Sequence, residues 1–254
     1  MNAEHAISAC VITCDKQPKE VLYAAMKRIM WADEIVVADK GRDSLGYWDI
    51  ETALGHFSPR LRLVREPWSP TVEPSRGAAA AACVHPWIIM LDDDEILSSD
   101  CERIFREFVS GENPSDILEI PIRNHVLGRF DRNAPYWPEW RPVLHRRGSL
   151  KFSDRVHGGV ERLGRVLRLH EESPAYINHL SHASVSQYIE KTNRYTDQSN
   201  RTEARGRIET DYISAVAWLR QNYDHIDVLK RWEAANLPDG EAEFLRIARE
   251  VLDA

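Results

Sequence analysis

No stretch of this chain stays apolar for the roughly 18 residues that a helix needs to cross a bilayer. Cysteine is scarce as well. Cys10, Cys14, Cys83 and Cys101 stand in apolar or helical contexts, without the short paired spacings of a zinc site or the density of a disulfide scaffold. They read as reduced core residues. Basic charge is outweighed, with a net charge of −7 and a pI near 5.8, which argues against wide electrostatic contact with nucleic acid. Two local basic patches stand out, "RNHVLGRFDR" from 123 and "LHRRGSLKFSDR" from 144. The opening "MNAEHAISACVITCDK" lacks a basic start, a long apolar region and a small-residue cleavage site, so it does not read as a signal peptide. A cytoplasmic protein is the expectation.

With 254 residues, 43% of them hydrophobic, the chain can bury one large core or two modest ones. In the first hundred residues strand and helix patterns alternate. "AISACVIT" (6–13) is a continuous apolar run, as in a strand buried on both faces. Pro18 suits a first helical turn, after which Val21, Leu22, Ala25, Met26, Ile29 and Met30 recur at helical spacing. "EIVVAD" (34–39) is a second strand, a weaker helix covers about 47–56, "LRLV" (61–64) is a short strand, "SRGAAAAACV" favours helix, and "WIIML" (87–91) is a fourth strand. This alternation predicts an α/β fold with a doubly wound, mostly parallel sheet, whose ligands bind beyond the carboxyl ends of its strands. Ser99 and Glu102 have capping-box spacing ahead of a helix that Gly111 can stop.

From 116 to about 180 the pattern changes to short strands, "ILEIPI", "RPVLHR", "RVLRLH" and "AYINHL", expected as antiparallel additions. Helical patterns fill the remainder. The boundaries expected are a main domain over 1–183, divided into 1–110 and 111–183, and a helical extension over 184–254. Within that extension, residues 211–223 are amphipathic, suited either to peripheral membrane contact or to packing on the core.

Asp92, Asp93, Asp94 and Glu95 follow "WIIML" directly, at a strand end where ligands of such sheets bind. An extended backbone would point Asp92 and Asp94 the same way and Asp93 the other. Hard cations such as Mg²⁺ or Mn²⁺ take oxygen ligands and keep open positions for substrate phosphates. A bound cation would also relieve the repulsion among the acids; without one, an acid should stay protonated at a raised pKa. The plain alternative is a solvated turn leading into the next helix, whose positive end favours acids.

In order and rough spacing, "AISACVITCDK", "WADEIVVADKGRDS", "SRGAAAAACVHPWIIMLDDDE", "RPVLHRRGSLKFSDRVHGGV" and "INHLSHASVSQYIEKTNRYT" resemble family 2 glycosyltransferases, in particular the subgroup that includes lipopolysaccharide core β-glucosyltransferases. The resemblance spans about residues 6–200. It implies a GT-A fold, a nucleotide-sugar donor, most simply a UDP-sugar, a divalent cation (Mn²⁺ or Mg²⁺) and inversion at the anomeric carbon. A glycan, a lipid-linked saccharide or a protein would be the acceptor.

Carried over position by position, the resemblance puts Thr13 and Asp15 near the base and Asp39 on the base or ribose, with Arg76 near the nucleotide. Asp92 would face the ribose or the metal, and Asp94 would ligate the metal. Glu139 in "PEWR" is the first candidate for the base that deprotonates the acceptor, and Asp154 the second. Relatives often read His-Glu where this chain has His157-Gly158, so no role passes to that acid; His157 itself is a candidate metal or diphosphate contact. Tyr136, Trp137 and Trp140 offer rings for stacking on sugar or for covering the core. Arg141 suits either a phosphate or a neighbouring acid, while His179 and His182 lack further ligands at zinc spacing and read as structural.

Two other readings stand beside this one. A nucleotide-sugar binder without catalysis would keep the same fold. A sugar-phosphate nucleotidyltransferase would need a glycine-rich N-terminal loop around the triphosphate, and "VITCDKQPK" has no glycine.

Overall fold

The computed structural model describes residues 3–14, 18–41, 61–69, 72–112, 114–134, 137–153, 159–184, 187, 190 and 240–254. Its centre is one mixed, mostly parallel sheet in the order β3-β2-β1-β4-β8-β6-β12-β5, with β7 and β11 also paired to β6. The first four strands are β1 (Ile7–Thr13), β2 (Glu34–Asp39), β3 (Leu61–Arg65) and β4 (Trp87–Asp92). All four run parallel. Every residue of β1 and β2 is buried, which is why both appear in the sequence as unbroken apolar runs instead of alternating ones. The helices α1 (Lys19–Lys27) and α2 (Glu73–Ala82) lie between these strands in sequence, α1 after β1 and α2 before β4. The expected helix at about 47–56 lies outside the described residues.

Beyond β4 the sheet turns mixed. β5 (Glu95–Leu97), β6 (Ile117–Val126), β7 (Arg129–Phe130), β8 (Glu139–Arg146), β9 (Leu150–Phe152), β10 (Val160–Arg162), β11 (Val166–Arg168) and β12 (Ile177–His182) follow in the chain. β8 lies antiparallel to both β4 and β6. β11 and β12, however, pair parallel with β6, so the expectation of antiparallel additions holds for only part of this half. β9 and β10 form a separate hairpin.

Helix α3 (Cys101–Ser110) starts two residues after Ser99, so its cap position falls on Asp100. Asp100 precedes it in a helical conformation and makes no side-chain cap bond. The Ser99 capping box is therefore not formed. Gly111 does end the helix, in an extended conformation with φ of −64° that any residue could adopt. The last helix, α4 (Gly240–Asp253), buries Phe244, Ala248 and Val251 against Val21, Ala24 and Ala25 of α1, with Ile96 and Leu180 beneath. Of the expected 184–254 extension, residues 191–239, including 211–223, lie outside the described residues. Among the described residues no helix is long and apolar enough to cross a membrane, and none of the four cysteines is in a disulfide.

Candidate active site

Parallel pairing brings the carboxyl ends of three buried strands to one edge. Thr13 pairs with Asp39, and Ile12 with Asp92, in adjacent registers. Three apolar strands thus end together in polar residues, where chain separation in sequence no longer matters.

The acidic run does not continue the strand. Asp92 closes β4, Asp93 and Asp94 form a turn, and Glu95 opens β5. The alternation expected of an extended segment ends at Asp92 because the backbone reverses there. Each acid then has its own partner. Asp93 Oδ2 accepts from Thr13 Oγ1 at 2.9 Å and from the Cys14 amide at 3.1 Å. Asp92 Oδ2 accepts from Arg76 at 2.8 Å and from Arg141 at 3.1 Å. Glu95 Oε2 accepts from the Asp92 amide at 2.9 Å, and its Oε1 stands 2.6 Å from Arg141 as a charge contact without hydrogen-bond alignment. His179 Nε2 lies 3.6 Å from Asp94 Oδ1.

These partners divide the acids into two electrostatic types. Burial pushes the Asp92 carboxyl up, but Arg76 and Arg141 outweigh it and hold the group below its usual value. Burial pushes Asp93 up to about 7, aided by the charge of Asp94, and raises Glu95 to about 7 against the pull of Arg141. Buried acids thus coexist here through two guanidinium groups and retained protons. Arg141, which the sequence offered either a phosphate or an acid, is taken by acids.

At the next strand end, Asp39 Oδ1 accepts from the Gly41 amide at 2.9 Å, and Arg65 of β3 pairs with the other oxygen. Lys40 is buried beside it, with Nζ 2.7 Å from Ser69 Oγ. Burial lowers the pKa of this lysine. Sequence reading passed over Lys40 and Arg65. The available signal was a lysine directly behind the strand "EIVVAD", whose apolar centre marks it as buried.

On the other side of Asp92, the exposed Glu139 opens β8 and accepts from Asn124 Nδ2 at 2.8 Å. Asn124 Oδ1 is 2.6 Å from His179 Nδ1. Neither residue was singled out as functional from the sequence, since their neighbours lie on strands far apart in the chain. Trp140 is held under Arg168 and donates to the Leu169 carbonyl at 2.8 Å. Trp137 meets Phe130 edge-on at 4.8 Å. Asp15, Tyr136, Asp154 and His157 lie outside the described residues.

Among the described residues no three His, Cys, Asp or Glu side chains form a ready-made metal cluster. One atom nevertheless suits a hard cation. Asp92 Oδ1 is buried and has no hydrogen-bond partner, and Mg²⁺ is commonly held by only one or two carboxylates together with substrate phosphates. The oxygen-donor set of this turn is of the right chemistry.

No protein-family model matches the chain. Among solved structures, S. aureus TarS 1-349 in complex with UDP-GlcNAc is similar, with a TM-score of 0.50 at 16% identity, over 98% of this chain and 88% of that one. TarS 1-349 in complex with UDP gives a TM-score of 0.50 at 14% identity, over 81% of this chain and 68% of that one. At such identities the likeness defines the fold: this is the GT-A type of α/β architecture found in glycosyltransferases.

Proposed function

We propose that this protein is a glycosyltransferase that moves a sugar from a nucleotide-sugar donor, a UDP-hexose, to a hydroxyl of a glycan, lipid-linked saccharide or protein acceptor, with inversion. The observation that carries the reading is the acidic turn 92–95 at the carboxyl end of β4, tied to the end of β1 by Thr13 and held by Arg76 of α2 and Arg141 of β8. In a sheet of this kind that edge is where a nucleotide binds. The solved complexes of TarS with UDP and UDP-GlcNAc lend support for the donor class. The family 2 assignment and the lipopolysaccharide-core subgroup rest on the sequence motifs alone.

In this reading Thr13, Asp15 and Asp39 take the nucleoside, and Arg76 lies near the nucleotide. Glu139 Oε1 takes the proton of the acceptor hydroxyl, with Asp154 the second candidate. The freed oxygen lone pair bonds to the anomeric carbon as the bond from that carbon to the diphosphate breaks, leaving its electron pair on the nucleoside diphosphate. Asp92 and Asp94, with His157 as a third candidate, would hold Mn²⁺ or Mg²⁺, which stabilises charge on the departing diphosphate. The donor oxygens thereby gain a partner that Arg76, committed to Asp92, and Arg141, committed to Asp92 and Glu95, do not provide.

Thermal denaturation with UDP, UDP-GlcNAc and UDP-glucose, each with Mn²⁺ and with a chelator, tests the donor. A UDP-sugar should raise the melting temperature in Mn²⁺ by mass action and lose that effect on chelation. Release of UDP should accompany incubation with Mn²⁺, and Asp94→Asn should abolish it. If no UDP-sugar binds, or if Asp94→Ala leaves binding and turnover intact, the assignment is wrong.

A further inference from the structure

We infer that Asn124 is a positioning residue for Glu139, locked in place by His179, within a polar relay that joins the acceptor side of the site to the acidic turn. The inference rests on the reading of Glu139 as the base. Three neighbouring strands supply the relay. Glu139 on β8 pairs with Ile122 of β6, two residues from Asn124, and His179 of β12 pairs with Asn124 itself. Asn124 Nδ2 donates to Glu139 Oε2 at 2.8 Å, Asn124 Oδ1 stands 2.6 Å from His179 Nδ1, and His179 Nε2 stands 3.6 Å from Asp94 Oδ1.

The chemistry of each group fixes the next. An ionised carboxylate only accepts, so the amide must turn its NH₂ toward Glu139. Its oxygen then faces His179, and a contact of 2.6 Å between Oδ1 and Nδ1 requires the proton on Nδ1. Nε2 then faces Asp94 Oδ1 at 3.6 Å, a charge contact and not a hydrogen bond, which attracts the carboxylate when the ring carries both protons. Glu139 is exposed, and an untethered glutamate loses much rotamer freedom when ordered. Asn124 holds Oε2 in place, and Oε1, which has no hydrogen-bond partner among the described residues, is the atom presented to an incoming hydroxyl. His179 prevents the amide from flipping. Orientation of the base is therefore set by the same histidine that meets the acidic turn.

Asn124→Leu removes both hydrogen bonds at similar size. With UDP-GlcNAc and Mn²⁺ as the probe and UDP release as the readout, the variant should lose about 10- to 100-fold in kcat, the range typical of outer partners that orient a reacting group. KM and UDP affinity should change by less than about twofold, because the relay orients the base and does not hold the donor. Glu139→Gln should be slower still, and the Asn124→Leu/Glu139→Gln pair no slower than Glu139→Gln alone. A full additional loss in the pair would show that Asn124 acts elsewhere and would overturn the relay. If Glu139→Gln is slow while Asn124→Leu is not, the relay alone fails; if Glu139→Gln turns over normally, the base assignment fails and the relay with it. A second measurement is independent of turnover: ¹⁵N NMR of the imidazole, assigned by comparison with His179→Gln, should show a protonated Nδ1 in the parent protein, with or without a second proton on Nε2, and its loss in Asn124→Leu. A parent ring protonated on Nε2 alone would overturn the relay.

Discussion

Thr13 donates its hydroxyl to Asp93 at 2.9 Å, so the last residue of β1 holds the turn that follows β4 from 80 positions away. The same carboxylate oxygen also accepts from the Cys14 amide. Strand end and acidic turn are thereby one unit. Thr13→Val keeps the shape and deletes the donor. Leaving a buried acceptor short of a partner costs about 1–3 kcal/mol, and urea denaturation at neutral pH should show a loss in that range. UDP-GlcNAc binding should weaken in parallel, because the turn presents Asp92 and Asp94.

Arg141 reaches both Asp92 and Glu95. Arg141→Met removes the shared cation and leaves two buried acids, of which only Asp92 retains an arginine, Arg76. Breaking a buried pair from one side costs about 3–5 kcal/mol. Combining Arg141→Met with Glu95→Gln should recover a measurable part of that loss at a pH well above 7, where folding must otherwise either bury the Glu95 charge or protonate it. Denaturation midpoints of the two single variants and the double variant check this; purely additive losses would contradict it.

His145 of β8 is buried, and burial pulls its pKa from 6.5 down to about 4. In that window the unfolded chain binds a proton that the folded chain refuses, so stability is complete above pH 6.5 and falls as the pH drops toward 4. The loss is about 3 kcal/mol across the window. Asp93 and Glu95 work in the opposite sense. Their pKa values are raised to about 7 from 3.8 and 4.5, so their contribution is present at low pH and is lost as the pH rises toward 7. The informative quantity is therefore a difference. His145→Phe should lose less stability than the parent between pH 7.5 and pH 4.5, by urea denaturation at each pH.

Leu127 and Gly128 form the two-residue turn between β6 and β7, both with positive φ, 51° and 76°, the backbone of a tight hairpin. A Cβ on Gly128 would fall 2.7 Å from Glu243 Cβ and 3.2 Å from the Gly240 backbone of α4. Gly128→Ala should therefore destabilise through both backbone strain and displacement of α4, by about 1–3 kcal/mol. Faster hydrogen exchange over 240–254, with exchange in β1 and β2 less affected, would locate the damage at the helix docking.

The parts legible in the sequence share one cause. β1, β2 and β4 are buried on both faces, so each was written as an unbroken apolar run with polar residues at its end. The helical period of Val21, Leu22, Ala25 and Met26 marked α1, although the helix is buried at every position from Val21 to Met26 because α4 covers the face that the sheet does not. Such patterns need only local sequence and the rule that apolar surface leaves water. Two of the motifs that carry the resemblance to family 2 glycosyltransferases, "WADEIVVAD" and Asp92 to Asp94, lie on these strands and at their ends.

β5, β7, β9 and β10 are two or three residues long, too short for periodicity to register, and they exist because neighbouring strands supply their hydrogen bonds. The partners of the acids were hidden for a related reason. Arg141 comes to Asp92 from 49 positions away and His179 to Asn124 from 55, distances over which composition carries no information about contact. By itself the sequence determined a parallel α/β core and the placing of four acids at its carboxyl edge. Only the tertiary structure decided which acid meets an arginine, which keeps a proton and which side chain steadies Glu139, because those choices depend on strand order and register, and these are set by packing across the whole sheet.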